Sequence, residues 1–163
     1  MQPFFQDCFH RLQELDDDTV RAIEGFPQEA LDWVPGPGMN SLCVLVVHVT
    51  GAERYWIGDV VGCDPSGRDR ETEFRAQGLD AATLKKRLDD CLAHLRGVLE
   101  KLTTEDLEMS RVSPRDGGKF TVAWSLAHAL AHTAAHVGHM QVTRQLWDQQ
   151  QQAQVASTFT LSV

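Results

Sequence analysis

Four stretches of the sequence carry apolar residues three and four positions apart, and segments rich in proline, glycine and charged residues separate them. This spacing brings the apolar side chains to one face of an α-helix, so each stretch predicts a helix with a face to bury. No strand-like alternation is expected before the tail 158–163. We therefore predict an all-α protein, a four-helix bundle with long loops between its helices. The apolar positions of the predicted helices span residues 4–23, 42–60, 84–102 and 122–147.

Three of the predicted helices begin just after a residue that can accept a hydrogen bond from a free backbone N–H group. These residues are Ser41, Asp80 and Thr121, and such side chains are favoured at a helix N-terminus. Between the helices, residues 63–78 form a long polar loop that either carries function or covers a pocket. Residues 113–118 form a second polar loop. We expect one domain, with the bundle in residues 1–150 and a C-terminal tail in residues 151–163.

The formal net charge is −8, which argues against a nucleic-acid partner because phosphate binding needs clustered Lys and Arg. The basic run at residues 85–87 is followed at once by Asp89 and Asp90, and it fits a solvated helix face. The longest apolar stretch, residues 42–49, is far shorter than the roughly 20 residues that a membrane-spanning helix needs. The N-terminus does not resemble a signal peptide. We expect a cytoplasmic protein that binds neither nucleic acid nor membrane.

The four cysteines are widely separated and form no CxxC pair. Neither a zinc knuckle nor a dithiol redox motif is therefore predicted, and we expect reduced thiols. Cys8, Cys43 and Cys91 fall within helical patterns and fit small buried side chains, whereas Cys63 lies in a loop where modest reactivity is expected.

Four of the seven histidines lie in the last predicted helix, at positions 128, 132, 136 and 139. At 3.6 residues per turn, their side chains fall within a sector of roughly 80° and line one face of that helix. The same face carries Trp124, Ala131, Ala135 and Leu146, so we expect the imidazoles to point into the bundle. Buried imidazoles need partners, because an unpaired polar group in the interior is costly.

A metal ion would satisfy these histidines. His132 and His136 are one helical turn apart, so both can reach one ion. His48 lies on the apolar face of the second predicted helix and supplies a third ligand. Three imidazoles with open positions suit Zn, Ni or Fe(II), and the spacing does not choose among them. Thr133 stands where a zinc peptidase of the HExxH type has its glutamate, so peptidase activity is not expected.

His128 and His139 have several roles open to them. Each either orients a metal ligand, acts as a fourth ligand or is an ordinary helix histidine. Tyr55 and Trp56 follow His48 by about two turns, near its face. Both either line the substrate side of the site or belong to the core, and we favour the core for Trp56.

The segment 46–56 around His48, together with the pattern His132-xxx-His136-x-Gly138, resembles the DinB/YfiT-like superfamily of metalloenzymes. The resemblance spans nearly the whole chain. It implies a four-helix bundle of DinB type, a homodimer and a metal site at His48, His132 and His136. His139 replaces the glutamine that usually follows the glycine. Some members of the superfamily are transferases dependent on mycothiol or bacillithiol, and others are maleylpyruvate isomerases or hydrolases.

The resemblance and the three histidines together favour a thiol-dependent S-transferase or isomerase that acts on a small molecule. In this hypothesis the metal holds the cofactor sulfur as a thiolate, which is the nucleophilic form. A metal-dependent hydrolase is the second hypothesis, since an open three-histidine site can lower the pKa of bound water. The third is a non-enzymatic metal-binding or stress-response module, in which the ion only links two helices.

Overall fold

The chain forms a bundle of four long helices, as predicted. The computed structural model describes the backbone of residues 1–160 and the side chains of residues 1–155. Two short helices lie in the connections, and within the described residues no helix is long and apolar enough to cross a membrane. In chain order the helices are α1 (Pro3–Ile23), α2 (Gln28–Asp32), α3 (Leu42–Glu53), α4 (Arg70–Glu73), α5 (Ala81–Leu99) and α6 (Val122–Thr160). A π-helical segment (Arg54–Val61) continues α3, and a 3-10 helix spans Thr104–Glu108.

The three predicted caps are confirmed. The Ser41 hydroxyl accepts a hydrogen bond from the backbone N–H of residue 44 at 3.2 Å, and Asp80 accepts one from the N–H of residue 83 at 2.8 Å. The Thr121 hydroxyl accepts from the N–H of residue 124 at 3.1 Å. Each bond satisfies a backbone donor that has no partner inside its own helix, and so helps to fix where α3, α5 and α6 begin.

The core surrounds α3, in which every residue is buried. This is why residues 42–49 are almost continuously apolar, whereas α1 and α5 carry a single apolar stripe. Two apolar clusters pack along the bundle, one around Phe5, Ile57 and Leu95 and the other around Leu42, Leu84 and Met140. Among the cysteines, Cys43 and Cys91 are buried as predicted, Cys63 is exposed, and Cys8 is only partly buried, against expectation.

Two short strands precede α6, so the predicted absence of strands before the tail is wrong. β1 (Ser110–Val112) pairs antiparallel with β2 (Lys119–Thr121), and the predicted polar loop 113–118 is the turn between them. The backbone N–H of Ser113 donates to the carbonyl of Gly118 at 2.8 Å, and Gly117 adopts a positive φ of 71°. Strands of three residues are too short to show alternation, which is why the sequence pattern missed them.

The last helix is longer than predicted. α6 continues to Thr160, so its predicted end at residue 147 is wrong. The stretch 149–154 consists of five glutamines and one alanine, which have good helix propensity, and it contains no breaker. The division between a bundle in residues 1–150 and a tail in residues 151–163 stays a prediction, and residues 161–163 lie outside the described residues.

Candidate metal centre

The structure brings the three predicted histidines together. His48 comes from α3, and His132 and His136 come from consecutive turns of α6. One nitrogen of each imidazole can be chosen so that all three lie within 4.8 Å of one another. The ring centroids are 5.1 Å apart for His48 and His132, 5.0 Å for His48 and His136, and 4.4 Å for His132 and His136. This convergence of two helices is compatible with a single ion.

The prediction that the histidine face of α6 points into the bundle is wrong. Trp124, Ala131 and Ala135 are exposed, and His132 and His136 are only half-buried. A second stripe on α6, also spaced by three and four, faces the core instead, so the sequence pattern offered two candidate faces. Its residues are Leu126, Ala129, Thr133, Val137 and Met140. The three-histidine cluster therefore lies at the margin between α3 and α6, where two of its three imidazoles are partly exposed.

A carboxylate holds His48 in place. Glu73 Oε2 lies 2.9 Å from His48 Nδ1, and both side chains are about 6% exposed. Arg68 donates to the same carboxylate through Nε at 2.6 Å and Nη2 at 2.8 Å. Burial alone would raise the pKa of Glu73, but the hydrogen bonds and charges of Arg68 and His48 lower it overall. An ionised carboxylate can only accept, so Nδ1 of His48 donates to it, and Nε2 is the nitrogen left to face an ion.

The polar loop 63–78 thus contributes directly to the site. It contains Arg68 and Glu73, and it places the Phe74 ring 4.8 Å from the His48 ring. Sequence analysis missed these residues because the segment has no periodicity and the bond to His48 spans 25 positions. Gly51 makes the approach possible, since a Cβ there would overlap the Glu73 carboxylate and lie 3.3 Å from Arg68 Nε.

His132 and His136 are neutral at neutral pH. Burial first, and the charges of neighbouring imidazoles second, lower the pKa of His132 to about 3 and that of His136 to about 4. Nδ1 of His132 is buried without a hydrogen-bond partner. Three imidazoles at this spacing, one with an orphaned nitrogen, fit a divalent cation of the Zn, Ni or Fe(II) type.

The other predicted site residues flank the cluster. His128 is half-buried and stacks on Trp124, with centroids 4.8 Å apart and planes 8° apart. His139 is exposed, and its Nδ1 lies 3.4 Å from Nδ1 of His136. Tyr55 is buried, and its hydroxyl is 2.5 Å from the Ser113 hydroxyl. Trp56 packs in the core. The Trp56 ring also contacts the His128 ring, with centroids 4.7 Å apart, so the π-helical segment packs against the histidine face of α6.

A second polar cluster, the acid cluster, is closed inside the bundle and was not predicted. It consists of one residue from each long helix: Asp16, Glu53, Cys91 and Thr133. Thr133 donates to Glu53 at 2.7 Å, and the Cys91 thiol donates to the same carboxyl at 3.9 Å. Neither carboxyl oxygen of Asp16 has a partner. Burial raises the pKa of both carboxyls, and the charge of Glu53 raises that of Asp16 further.

The sequence matches the model of the DinB superfamily over residues 11–140. The chain belongs to the DinB superfamily. The matched region contains His48, His132 and His136. A search of curated proteins found no match.

Several solved structures share the fold. A conserved protein from Enterococcus faecalis superposes with a TM-score of 0.75 at 14% identity, covering 90% of this chain and 98% of its own. YfiT from Bacillus subtilis, described as a probable metal-dependent hydrolase with an unusual four-helix bundle topology, has a TM-score of 0.68 at 14% identity and 89% coverage of both chains. A mutant of the mycothiol-dependent maleylpyruvate isomerase has a TM-score of 0.60 at 11% identity, covering 86% of this chain and 63% of that chain. These identities support a common bundle and not a common reaction.

Proposed function

We propose that this DinB protein binds one divalent metal ion through His48, His132 and His136 and uses it for thiol-dependent S-transfer or isomerisation. The observation that carries the proposal is the convergence of three imidazole nitrogens within 4.8 Å at an accessible margin of the bundle. Bacillithiol and mycothiol are the thiols that the family resemblance favours. The name of the mycothiol-dependent isomerase among the structural neighbours supports the same class of cofactor.

The residues of the chain prepare the site for this chemistry. Glu73 keeps the Nδ1 proton on His48 and so directs the Nε2 lone pair of that imidazole to the cluster. Arg68 keeps Glu73 ionised. Burial keeps His132 and His136 unprotonated at neutral pH, so their lone pairs stay available. When bound, a divalent cation supplies a charge that lowers the pKa of a neighbouring thiol and favours the thiolate.

Hydrolysis is the second candidate, and the description of YfiT favours it. A hydrolase of this kind needs a group that accepts a proton from the attacking water. Glu73 is a carboxylate in contact with the cluster, through His48, and it is fully engaged with His48 and Arg68. The transfer reaction, which needs no such base beside the metal, therefore ranks first. A purely structural ion is less well supported because two of the three imidazoles, those of His132 and His136, are only half-buried.

The metal assignment can be tested by elemental analysis of the native protein and of His48→Ala and His136→Ala. His10→Ala is the matched control, since His10 is an exposed helix histidine far from the cluster in sequence. We expect about one ion per chain in the native protein and in the control, and loss of the ion in the other two variants. Full metal content in either of those two would exclude the assignment.

The thiol assignment needs a separate measurement. The Co²⁺-substituted protein is titrated with bacillithiol and with mycothiol, and sulfur-to-cobalt charge-transfer absorption is recorded. We expect one of the thiols to produce this band at saturating concentration, and His136→Ala to abolish it. If neither thiol changes the spectrum of a fully loaded site, the thiol-dependent reaction is wrong while the metal site stands.

We also propose a cytoplasmic homodimer that acts on a small molecule. The family resemblance supports the dimer, and four free cysteines support a reducing compartment. Sedimentation velocity at micromolar concentration tests the dimer, which a single species of 18.2 kDa would contradict.

A further inference from the structure

A small cavity adjoins the three-histidine cluster on the side where α6 continues past His136. Its volume is about 260 Å³. Its walls come from α3, α6 and the loop before α3, and the lining residues used below are Met39, Asn40, Leu45, His139, Val142 and Thr143. We refer to it as the side cavity.

Helix geometry places the side cavity next to the cluster. Leu45 lies one turn before His48 on α3, and His139 lies one turn beyond His136 on α6. Thr143 follows His136 by seven residues and so faces the same way. The His136 and His139 rings are 5.3 Å apart. The groove between the two helices that holds the three histidines therefore leads to this cavity, which lies one turn before His48 on α3 and one turn beyond His136 on α6.

The chemistry of the side cavity is mixed. Met39, Leu45 and Val142 give it an apolar surface. Asn40 is half-buried and Thr143 is buried, and neither side chain has a hydrogen-bond partner among the described residues. Unpaired polar groups on an otherwise apolar wall are typical of a ligand site, where they fix the orientation of the bound molecule.

We propose that the side cavity binds the acceptor substrate of the reaction, a compact apolar molecule with a carbonyl, carboxylate or amide group at its far end. This proposal rests on the function proposed above. The apolar part of the molecule lies against Leu45 and Val142. Its terminal polar group meets Asn40 and Thr143, and the reacting atom lies beside the three histidines. The volume is below that of sites for drug-sized ligands, which excludes bulky acceptors from this end of the groove.

The test uses hydroxamates, which bind an accessible metal ion through two oxygens, on the Zn²⁺-loaded full-length chain. Acetohydroxamate probes the metal alone, and hexanohydroxamate adds a four-carbon extension long enough to enter the side cavity. We expect calorimetry to show hexanohydroxamate binding on the order of 10- to 100-fold more tightly, because burying each added carbon is favourable. Val142→Phe, which fills the cavity from its partly exposed wall, should abolish that preference and leave acetohydroxamate unchanged.

Two controls locate the effect. Trp124→Ala removes an exposed apolar ring on the opposite side of the cluster, and Val112→Phe enlarges an exposed side chain on β1. Both should keep the preference for hexanohydroxamate. Equal affinities for the two probes in the wild type, or loss of the preference in Trp124→Ala and not in Val142→Phe, would overturn the cavity assignment alone. If acetohydroxamate does not bind, the metal site is wrong and the cavity assignment falls with it.

A second probe tests the polar end of the side cavity, at Asn40 and Thr143. A hexanohydroxamate with a carboxamide at its terminal carbon should bind the wild type several-fold more tightly than the unsubstituted probe, since it can pair with groups that otherwise lack partners. Asn40→Ala should remove that gain and leave the affinity for hexanohydroxamate unchanged. No gain in the wild type would show that Asn40 and Thr143 do not recognise the far end of the ligand.

Discussion

The three-histidine cluster and the acid cluster both place titratable groups inside one bundle, but burial shifts the pKa values of the two clusters in opposite directions. Burial lowers the pKa of His132 and His136 and raises the pKa of Asp16 and Glu53. In both cases the neutral form is favoured. The neutral imidazoles are left with lone pairs, whereas the neutral carboxyls are left with protons to donate.

This difference explains why the three-histidine cluster is suited to bind a metal ion and the acid cluster is not. Lone pairs that converge at a margin can be satisfied by a cation from solution. Carboxyl groups enclosed by four helices avoid a buried negative charge by keeping a proton, and the Thr133 hydroxyl donates to Glu53. We therefore expect the histidine cluster to respond to metal and the acid cluster to respond to pH.

The largest expected effect is stabilisation by metal. Saturation at about a thousand times the dissociation constant adds ~4 kcal/mol to the free energy of unfolding, which corresponds to a rise in melting temperature of about 10 °C for a domain of this size. Differential scanning fluorimetry with Zn²⁺ and with EDTA measures the shift. Glu53→Gln should retain it and His132→Ala should lose it. A shift that Glu53→Gln abolishes would show that the two clusters do not act separately.

Next in size is the loss of the Glu53 side chain. Glu53→Ala leaves the Thr133 hydroxyl without an acceptor and opens a cavity in a position that is 1% exposed, so we expect destabilisation of about 3 kcal/mol. Urea unfolding of the metal-free protein measures this. Glu53→Gln keeps the shape and an acceptor, and should lose much less. Equal stability of Glu53→Ala and wild type would contradict the assigned role of the buried carboxyl.

A smaller effect is expected at the carboxylate that holds His48. Glu73→Gln removes the charge that Arg68 and His48 contact, and such partners of metal ligands contribute roughly 10- to 100-fold to affinity. Competition with a chelator of known affinity gives the dissociation constant. Glu71→Gln is the matched control, since Glu71 is an exposed neighbour on α4 that does not contact the cluster. An unchanged metal affinity in Glu73→Gln would show that Glu73 does not support the metal site.

The smallest effect concerns pH. The pKa of Asp16 is raised above its ordinary value of 3.8 in the folded chain, so the folded state retains a proton that the unfolded state releases. The stability from this group is fully present below pH 3.8 and is lost as pH rises toward the folded pKa. Asp16→Asn should therefore gain about 1 to 2 kcal/mol over wild type at pH 8 and much less at pH 4. A parallel pH profile for the two proteins would rule this out.

The sequence predicted what depends on local pattern. The four long helices and the three caps follow from apolar spacing and from the chemistry of free N–H groups. The spacing of His132 and His136, together with His48 on an apolar helix, indicated that these three residues form one group. Each of these inferences uses interactions within one helix or a requirement for burial that any fold must meet.

What the sequence missed depends on contacts between distant segments. Glu73 reaches His48 from an aperiodic loop, and Glu53 meets Thr133 across 80 positions. Asp16 sits in a run of three aspartates, and no local pattern shows which of them is enclosed. The alanine-rich α6 offered two stripes with the same spacing, and only its packing against α1 and α3 decides between them. Tertiary contacts therefore carried the information that the pattern lacked.

The π-helical segment has a consequence for how this protein can change over evolutionary time. Its hydrogen bonds reach back five residues, as in the bond from the Gly62 N–H to the carbonyl of residue 57 at 2.9 Å, which amounts to one residue inserted into an α-helix. Deleting one residue there would restore α-helical phase and turn Trp56 away from Trp124. Relatives that lack the segment should have one residue fewer between the histidine of α3 and the end of that helix. A single-codon deletion would thus change how Trp56 packs against α6 while His48 keeps its position.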